Sequence, residues 1–245
     1  MGNKIFKAVL LFACGTVLFI VAAALYTFTA WAFPALTPEE LFALIPTFRS
    51  FIAGTFVVAG LAVVLSVFFS LAIASFAGEY YRGTRIAHWI KHWLSYCSNI
   101  PSIVWGIGAY SVVPDKGVFT MACVLATMII PYASSYLLVA MSRIPLPLRE
   151  SAYSLGATPS TVIGKIILPL AGKSFLAVYL LAFVKALGET MIIVVFAGET
   201  IAGGLFYSFT TATIQPVWGV LALGLFLVTA GFNSLAHSVL RKNIQ

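Results

Sequence analysis

Apolar residues run along this chain in blocks too long for the core of a soluble domain, with charged and turn-forming residues gathered between the blocks. A helix that crosses a bilayer needs ~20 mainly apolar residues, because all its backbone hydrogen bonds must close internally in lipid. Six blocks meet that length: about Phe6–Phe33, Phe51–Phe76, Trp93–Val113, Val118–Ala140, Phe175–Ala197 and Val217–Leu240. The third is the least regular, because "SNIPSIVWGIG" interrupts it with Pro101 and two glycines. The pattern predicts an all-α integral membrane protein with six transmembrane helices.

Composition agrees: of 245 residues 61% are hydrophobic and 9% charged, and the mean hydropathy of +1.04 lies far outside the range of soluble domains. The excess of 14 Lys+Arg over 7 Asp+Glu is not a nucleic-acid patch, because the basic residues sit in short loops. With a cytoplasmic N-terminus, Lys4, Lys7, Arg82, Arg85, Lys91, Arg143, Arg149, Lys165, Lys173, Arg241 and Lys242 fall inside, Arg49 and Lys116 outside, and Lys185 in the membrane. The positive-inside rule then makes both termini cytoplasmic. The first block is too long for a signal-peptide core and lacks a small-residue cleavage site, so it is expected to stay as an anchor. Residues 1–49 are assigned to this helix and a larger outer loop carrying Pro34, Pro38, Glu39, Glu40 and Pro46, and residues 50–245 to the core. Cys14, Cys97 and Cys123 are scattered and suggest neither disulfides nor zinc.

The inner loop at 141–174 carries its own punctuation in "PLPLRESAYSLGATPSTVIGKIILPLAG". Pro147 suits a first helical turn, and Gly156 can take the left-handed geometry that ends a helix. Thr158 followed by Pro159 reads as an N-cap with proline in the first position of a second helix. The result is helix, glycine elbow, helix. Small residues Ser151, Ala152 and Ser154 would let the first helix enter a groove on another protein, with Arg149 and Glu150 available for polar contacts. A plain amphipathic connector on the inner leaflet is the alternative.

Glu150-Ser151-Ala152, three residues, Gly156, nine residues, Ile166, one residue and Leu168-Pro169 resemble the EAA loop of ABC importer permeases, E-A-A-x3-G-x9-I-x-L-P, with Ser151 in place of the first alanine. "NIPSIVWGIGAYSVVP", "LATMIIPYASSYLLVA" and "KALGETM" resemble the phosphate-specific, Pst-type permease subunits, the PstC-like more closely than the PstA-like. The resemblance covers about Phe51 to Leu240. It implies a type I importer (MetI-like) permease fold whose coupling helix, at Glu150, Ser151, Ala152 and Gly156, docks on a cytoplasmic ABC ATPase. It also implies a dimer of such ATPases using ATP-Mg, a second, related permease subunit, an extracytoplasmic phosphate-binding protein and a place in the inner membrane of a bacterium or archaeon. The chain itself is expected to bind no cofactor and to be no enzyme.

"FVKALGETMIIVVFAG" places Lys185 and Glu189 four residues apart inside an apolar run. A charge at a helix centre costs ~2.5–3.5 kcal/mol on insertion scales, so it normally faces a cavity or a partner. One reading is a structural ion pair on a single helix face. The other makes Lys185 a weak attractor on an anion route, held and offset by Glu189, with Gly188 permitting close helix approach or a local break. Asn99 and Ser102 flank Pro101 and form a second candidate, a helix start whose free N–H groups face an anion. Pro131 is expected to kink its helix, with Ser134 and Ser135 bonding to neighbouring helices. "AGKS" is no P-loop, since position 167 is isoleucine, and His88 and His92 lack the glutamate and third ligand of a zinc motif. Phosphate import is the predicted function. Molybdate or tungstate as cargo is the alternative, and an ATP-independent channel or secondary transporter, which would need no coupling helix, is the more distant one.

Overall fold

The structure, a computed structural model, describes residues 2–32, 38–113, 117–189, 191–196, 200–210 and 216–241, and every regular element among them is a helix. Helix α1 spans Gly2–Ala32 and α2 spans Pro38–Ser75, continuing through a π-helical turn at Phe76–Tyr80. The expected outer loop is shorter than the prolines suggested. Pro38 opens α2, where a missing N–H costs nothing, and Pro46 is absorbed within it. The expected residues Pro34, Pro114 and Lys116 lie outside the described residues.

Among the described residues five helices are long and apolar enough to cross a membrane: Ile5–Thr27, Arg49–Tyr80, Val118–Ser142, Pro159–Leu187 and Gly219–Leu240. The third expected block differs. It is divided between α3, Arg85–Ser98, and α4, Ser102–Val112, with Asn99 capping the first and Pro101 preceding the second. At 1.5 Å per residue the 11 residues of α4 reach ~16 Å, about half the hydrocarbon thickness. Gly106 explains how so short a helix is seated. A Cβ there would lie 3.2 Å from Val195 Cγ2 and 3.4 Å from the Ile192 backbone, so α4 packs directly on α9, Met191–Val195.

Helix α5, Val118–Ser142, runs through the centre against α2 and α8, Leu168–Leu187, and α8 also packs on α11, Pro216–Arg241. Small buried side chains line these seams, among them Ala59, Ala62, Ser66 and Ser70 of α2 and Ala133 and Ser134 of α5. In lipid there is no hydrophobic drive between helices, so close backbone approach at small residues holds the bundle together. Ser134 donates mainly back to Ile130 O at 2.7 Å and Ser135 to Pro131 O at 2.9 Å, around the proline that interrupts the ladder. Ser134 also reaches across to Ser70 O of α2 at 3.5 Å, beside the bond between Ser70 Oγ and Tyr179 Oη at 3.0 Å that ties α2 to α8.

Candidate functional site

The elbow forms as its residues dictate. Helix α6, Leu146–Ser154, ends where Gly156 adopts φ +80°. The N–H groups of Gly156 and Ala157 bond to Tyr153 O at 2.9 Å and Ala152 O at 3.0 Å, the paired closure that satisfies the orphan carbonyls of a helix end. Thr158 then caps α7, Pro159–Val162, its hydroxyl accepting from Thr161 N at 3.4 Å. A second π-helical turn at Ile163–Ile167 leads into α8. Glu150, Ser151, Ser154 and Gly156 are exposed and Ala152 is half-buried, while Leu155 stands out at the elbow with 88% of its surface free.

Arg149 departs from its expected role. Only 2% of it is exposed, and it turns inward, where Nη1 donates to Glu79 Oε2 and Nη2 donates to Met141 O at 2.6 Å. Tyr153 Oη donates to the other Glu79 oxygen at 2.6 Å. Glu79 sits in the π-helical turn ending α2, so α6 is fastened to the ends of α2 and α5 by one buried carboxylate with two donors. Burial holds the Arg149 guanidinium below its ordinary pKa, opposed by Tyr153. Sequence reasoning missed Glu79. Its signal was a lone acid closing a long apolar run, beside Arg82 and Arg85 on the side that the positive-inside pattern assigns to the cytoplasm.

Lys185 and Asn99, singled out separately in the sequence, line one cavity of about 630 Å³. Helix α3 contributes Lys91, Ser95, Ser98 and Asn99 to its wall, at i, i+4, i+7 and i+8 on one face. Helix α5 faces them with Tyr132, Ser135, Tyr136 and Ser142, and α8 supplies Lys185 near its C-terminus. The Lys185 ammonium lies 4.4 Å from the centroid of the Tyr132 ring, a cation–π contact that holds a long side chain in place. Among the described residues the wall carries two cations, several hydroxyls and no carboxylate.

Two expectations about this region change. Helix α8 stops at Leu187 with Gly188 as its cap, so Glu189 lies past the helix end instead of one turn further along the same face. It stays within electrostatic range of Lys185, and its N–H bonds to Ala186 O at 3.3 Å. A Cβ on Gly188 would meet nothing within 4 Å but carbonyls of its own helix, so this glycine serves the break and not a close helix crossing. Ser102 opens α4 but does not line the cavity, and the Asn99 amide donates back to Ser95 O at 2.8 Å.

Comparison with known proteins follows the same lines. The phosphate transport system permease protein PstC of Haemophilus influenzae is 31% identical over 196 residues, covering 66% of this chain and 59% of that protein. PstC of Pasteurella multocida is 26% identical over 253 residues, 83% of this chain and 76% of its own. PstA 1 of Mycobacterium tuberculosis is 28% identical over 210 residues, 77% of this chain. In fold, the chain superposes on the inward-facing MetNI methionine ABC transporter with a TM-score of 0.67 at 17% identity, over 85% of this chain and 99% of that one. An amino acid ABC transporter crystallised with histidines gives 0.66 at 18% identity, over 84% and 99%. Residues 70–241 match the model of the binding-protein-dependent transport system inner membrane components, and the chain belongs to that family.

Proposed function

We propose that this chain is the PstC-like permease subunit of an ATP-driven importer that carries inorganic phosphate across a bacterial inner membrane. The observation that carries the reading is the run of relatives named as phosphate transport permeases along most of the chain. The cavity supports it, since Lys185, Lys91 and a ring of hydroxyls suit an oxyanion that cannot enter hydrocarbon unaided. Energy comes from outside the chain. The exposed residues of α6, with Leu155 at the elbow, are the surface on which a partner ATPase dimer would dock, and ATP-Mg is consumed there. A related second permease completes the pathway, and an extracytoplasmic phosphate-binding protein delivers the cargo. Closure of the ATPases moves the elbows, and the buried link from Arg149 to Glu79 passes that motion to α2 and α5.

In proteoliposomes holding the assembled complex, loaded binding protein should stimulate ATP hydrolysis and drive uptake of radiolabelled phosphate. Lys185→Ala should abolish uptake while the ATPase still co-purifies. Loss of assembly in that variant would return Lys185 to a structural role. Uptake of molybdate or tungstate in preference to phosphate would replace the cargo, and uptake without ATP would overturn the importer reading itself.

A further inference from the structure

The cavity wall discriminates more finely than by charge. Lys91 and Ser98 or Asn99 stand seven or eight residues apart on α3, roughly 11–12 Å along its axis. Helix α3 leaves the turn that follows Glu79 and α5 ends at Ser142, so Lys91 and Ser142 mark the mouth on the elbow side. Tyr132, Asn99 and Lys185 mark the deep end. Three serines on this wall have their protons committed to backbone carbonyls of their own helices. Ser98 donates to Leu94 O at 2.7 Å, Ser135 to Pro131 O at 2.9 Å and Ser142 to Val139 O at 2.8 Å. A hydroxyl used in this way offers the cavity only lone pairs. Asn99, with one N–H given to Ser95 O, keeps its carbonyl oxygen as an acceptor beside its second N–H.

An anion site lined by two ammonium donors and several acceptor oxygens suits an oxyanion that still carries a proton. Near neutral pH, phosphate keeps one or two P–OH groups, whereas molybdate, tungstate and sulfate are fully ionised and have none. Set against those oxygens, a fully ionised anion meets lone pairs with lone pairs, whereas a P–OH gains a hydrogen bond from them that charge alone does not supply. We propose that this cavity is a proton-reading phosphate site, in which Lys185 and Lys91 hold the charge at its two ends and Ser98, Ser135, Ser142 and Asn99 accept hydrogen bonds from P–OH. Lys91 is the exit-side cation, and the neutral, hydroxyl-lined wall between it and Lys185 is the stretch the anion crosses. The inference rests on phosphate as cargo and adds that the permease, and not only its binding protein, rejects unprotonated oxyanions.

Because a binding protein would select cargo before it reached the membrane, the test reads the cavity directly. In the assembled complex without binding protein, with Cys14, Cys97 and Cys123 replaced by alanine, Ser95→Cys on the cavity wall is labelled by a small maleimide. Inorganic phosphate should slow labelling at concentrations roughly two- to twelvefold below those needed of sulfate or molybdate, the ratio expected of one hydrogen bond to a neutral acceptor. Lys91→Ala should remove the protection and Lys91→Arg retain it. Ser98→Ala with Ser142→Ala should narrow the gap between phosphate and sulfate, Ser135 and Asn99 still accepting. Equal protection by sulfate in the parent would overturn proton reading, and no protection by any oxyanion would overturn the site. Phosphate uptake by the parent complex, measured beside either result, shows whether the importer reading stands or falls with it.

Discussion

Replacing Arg149 by methionine should unfasten α6 while leaving the membrane helices folded. The change deletes both bonds from the guanidinium, leaving Glu79 buried with Tyr153 alone and Met141 O with the backbone donor Ile144 N at 3.2 Å. Removing one partner of a buried ion pair costs roughly 3–5 kcal/mol. Arg149 is the only fully buried side chain of α6, so little else holds that helix, and the cost should appear as local opening in place of global unfolding. At 1.4 kcal/mol per factor of ten, 3 kcal/mol raises the open population about a hundredfold. Trypsin digestion in nanodiscs reads this at Arg143 and Lys165, which are exposed and bracket the elbow. Cleavage should accelerate strongly in Arg149→Met, with ATPase activity of the complex no longer stimulated by loaded binding protein. Adding Glu79→Leu should recover much of the resistance, because an apolar pair of similar volume avoids the unpaired charge and because Arg149 Nε has no partner even in the parent. Cleavage and stimulation both within twofold of the parent for the single variant would refute the reasoning.

Three smaller outcomes follow from the same geometry. Gly156→Ala should weaken the elbow by about 1–2 kcal/mol, purely through its φ of +80°, since nothing lies within 4 Å of the added Cβ; Gly156→Asn should cost less, by thermal melting of the purified complex. Gly106→Val should separate α4 from α9, where contacts of 3.2 Å and 3.4 Å leave no room, and lower the melting temperature far more than Gly108→Val, whose Cβ meets nothing within 4 Å. Tyr132→Phe should retain uptake, whereas Tyr132→Leu should lose the ~0.5–2 kcal/mol that holds the Lys185 ammonium and raise the KM for phosphate.

What could be read from the sequence followed from local rules. Gly156 and Thr158-Pro159 specify their own backbone, and of the six blocks that apolar length marked, five overlap helices long enough to span. The division at Asn99–Pro101 was visible as a disturbance, but two helices could not be told from one kinked helix, because the packing of Gly106 on α9 decides it. Arg149 was misplaced for a related reason. Its periodicity agrees with an exposed position, and the carboxylate that draws it inward lies 70 residues away on another helix. Lys185 and Asn99 were recognised individually. Their sharing of one cavity depends on α3 and α5 facing each other, which no spacing within either segment records.

The two π-helical turns, at Phe76–Tyr80 and Ile163–Ile167, sit where the membrane rods meet the elbow. The first is closed by Tyr81 N to Phe76 O at 3.0 Å, a loop one residue wider than the ordinary pitch. One surplus residue rotates whatever follows by about 100° around the helix axis. Trimming a single residue from either segment would therefore leave length and hydropathy almost untouched while swinging the attached segment a quarter-turn or more out of alignment. Insertions and deletions here should be far less forgiving than substitutions, as with a key whose cut depth matters less than where the cuts fall.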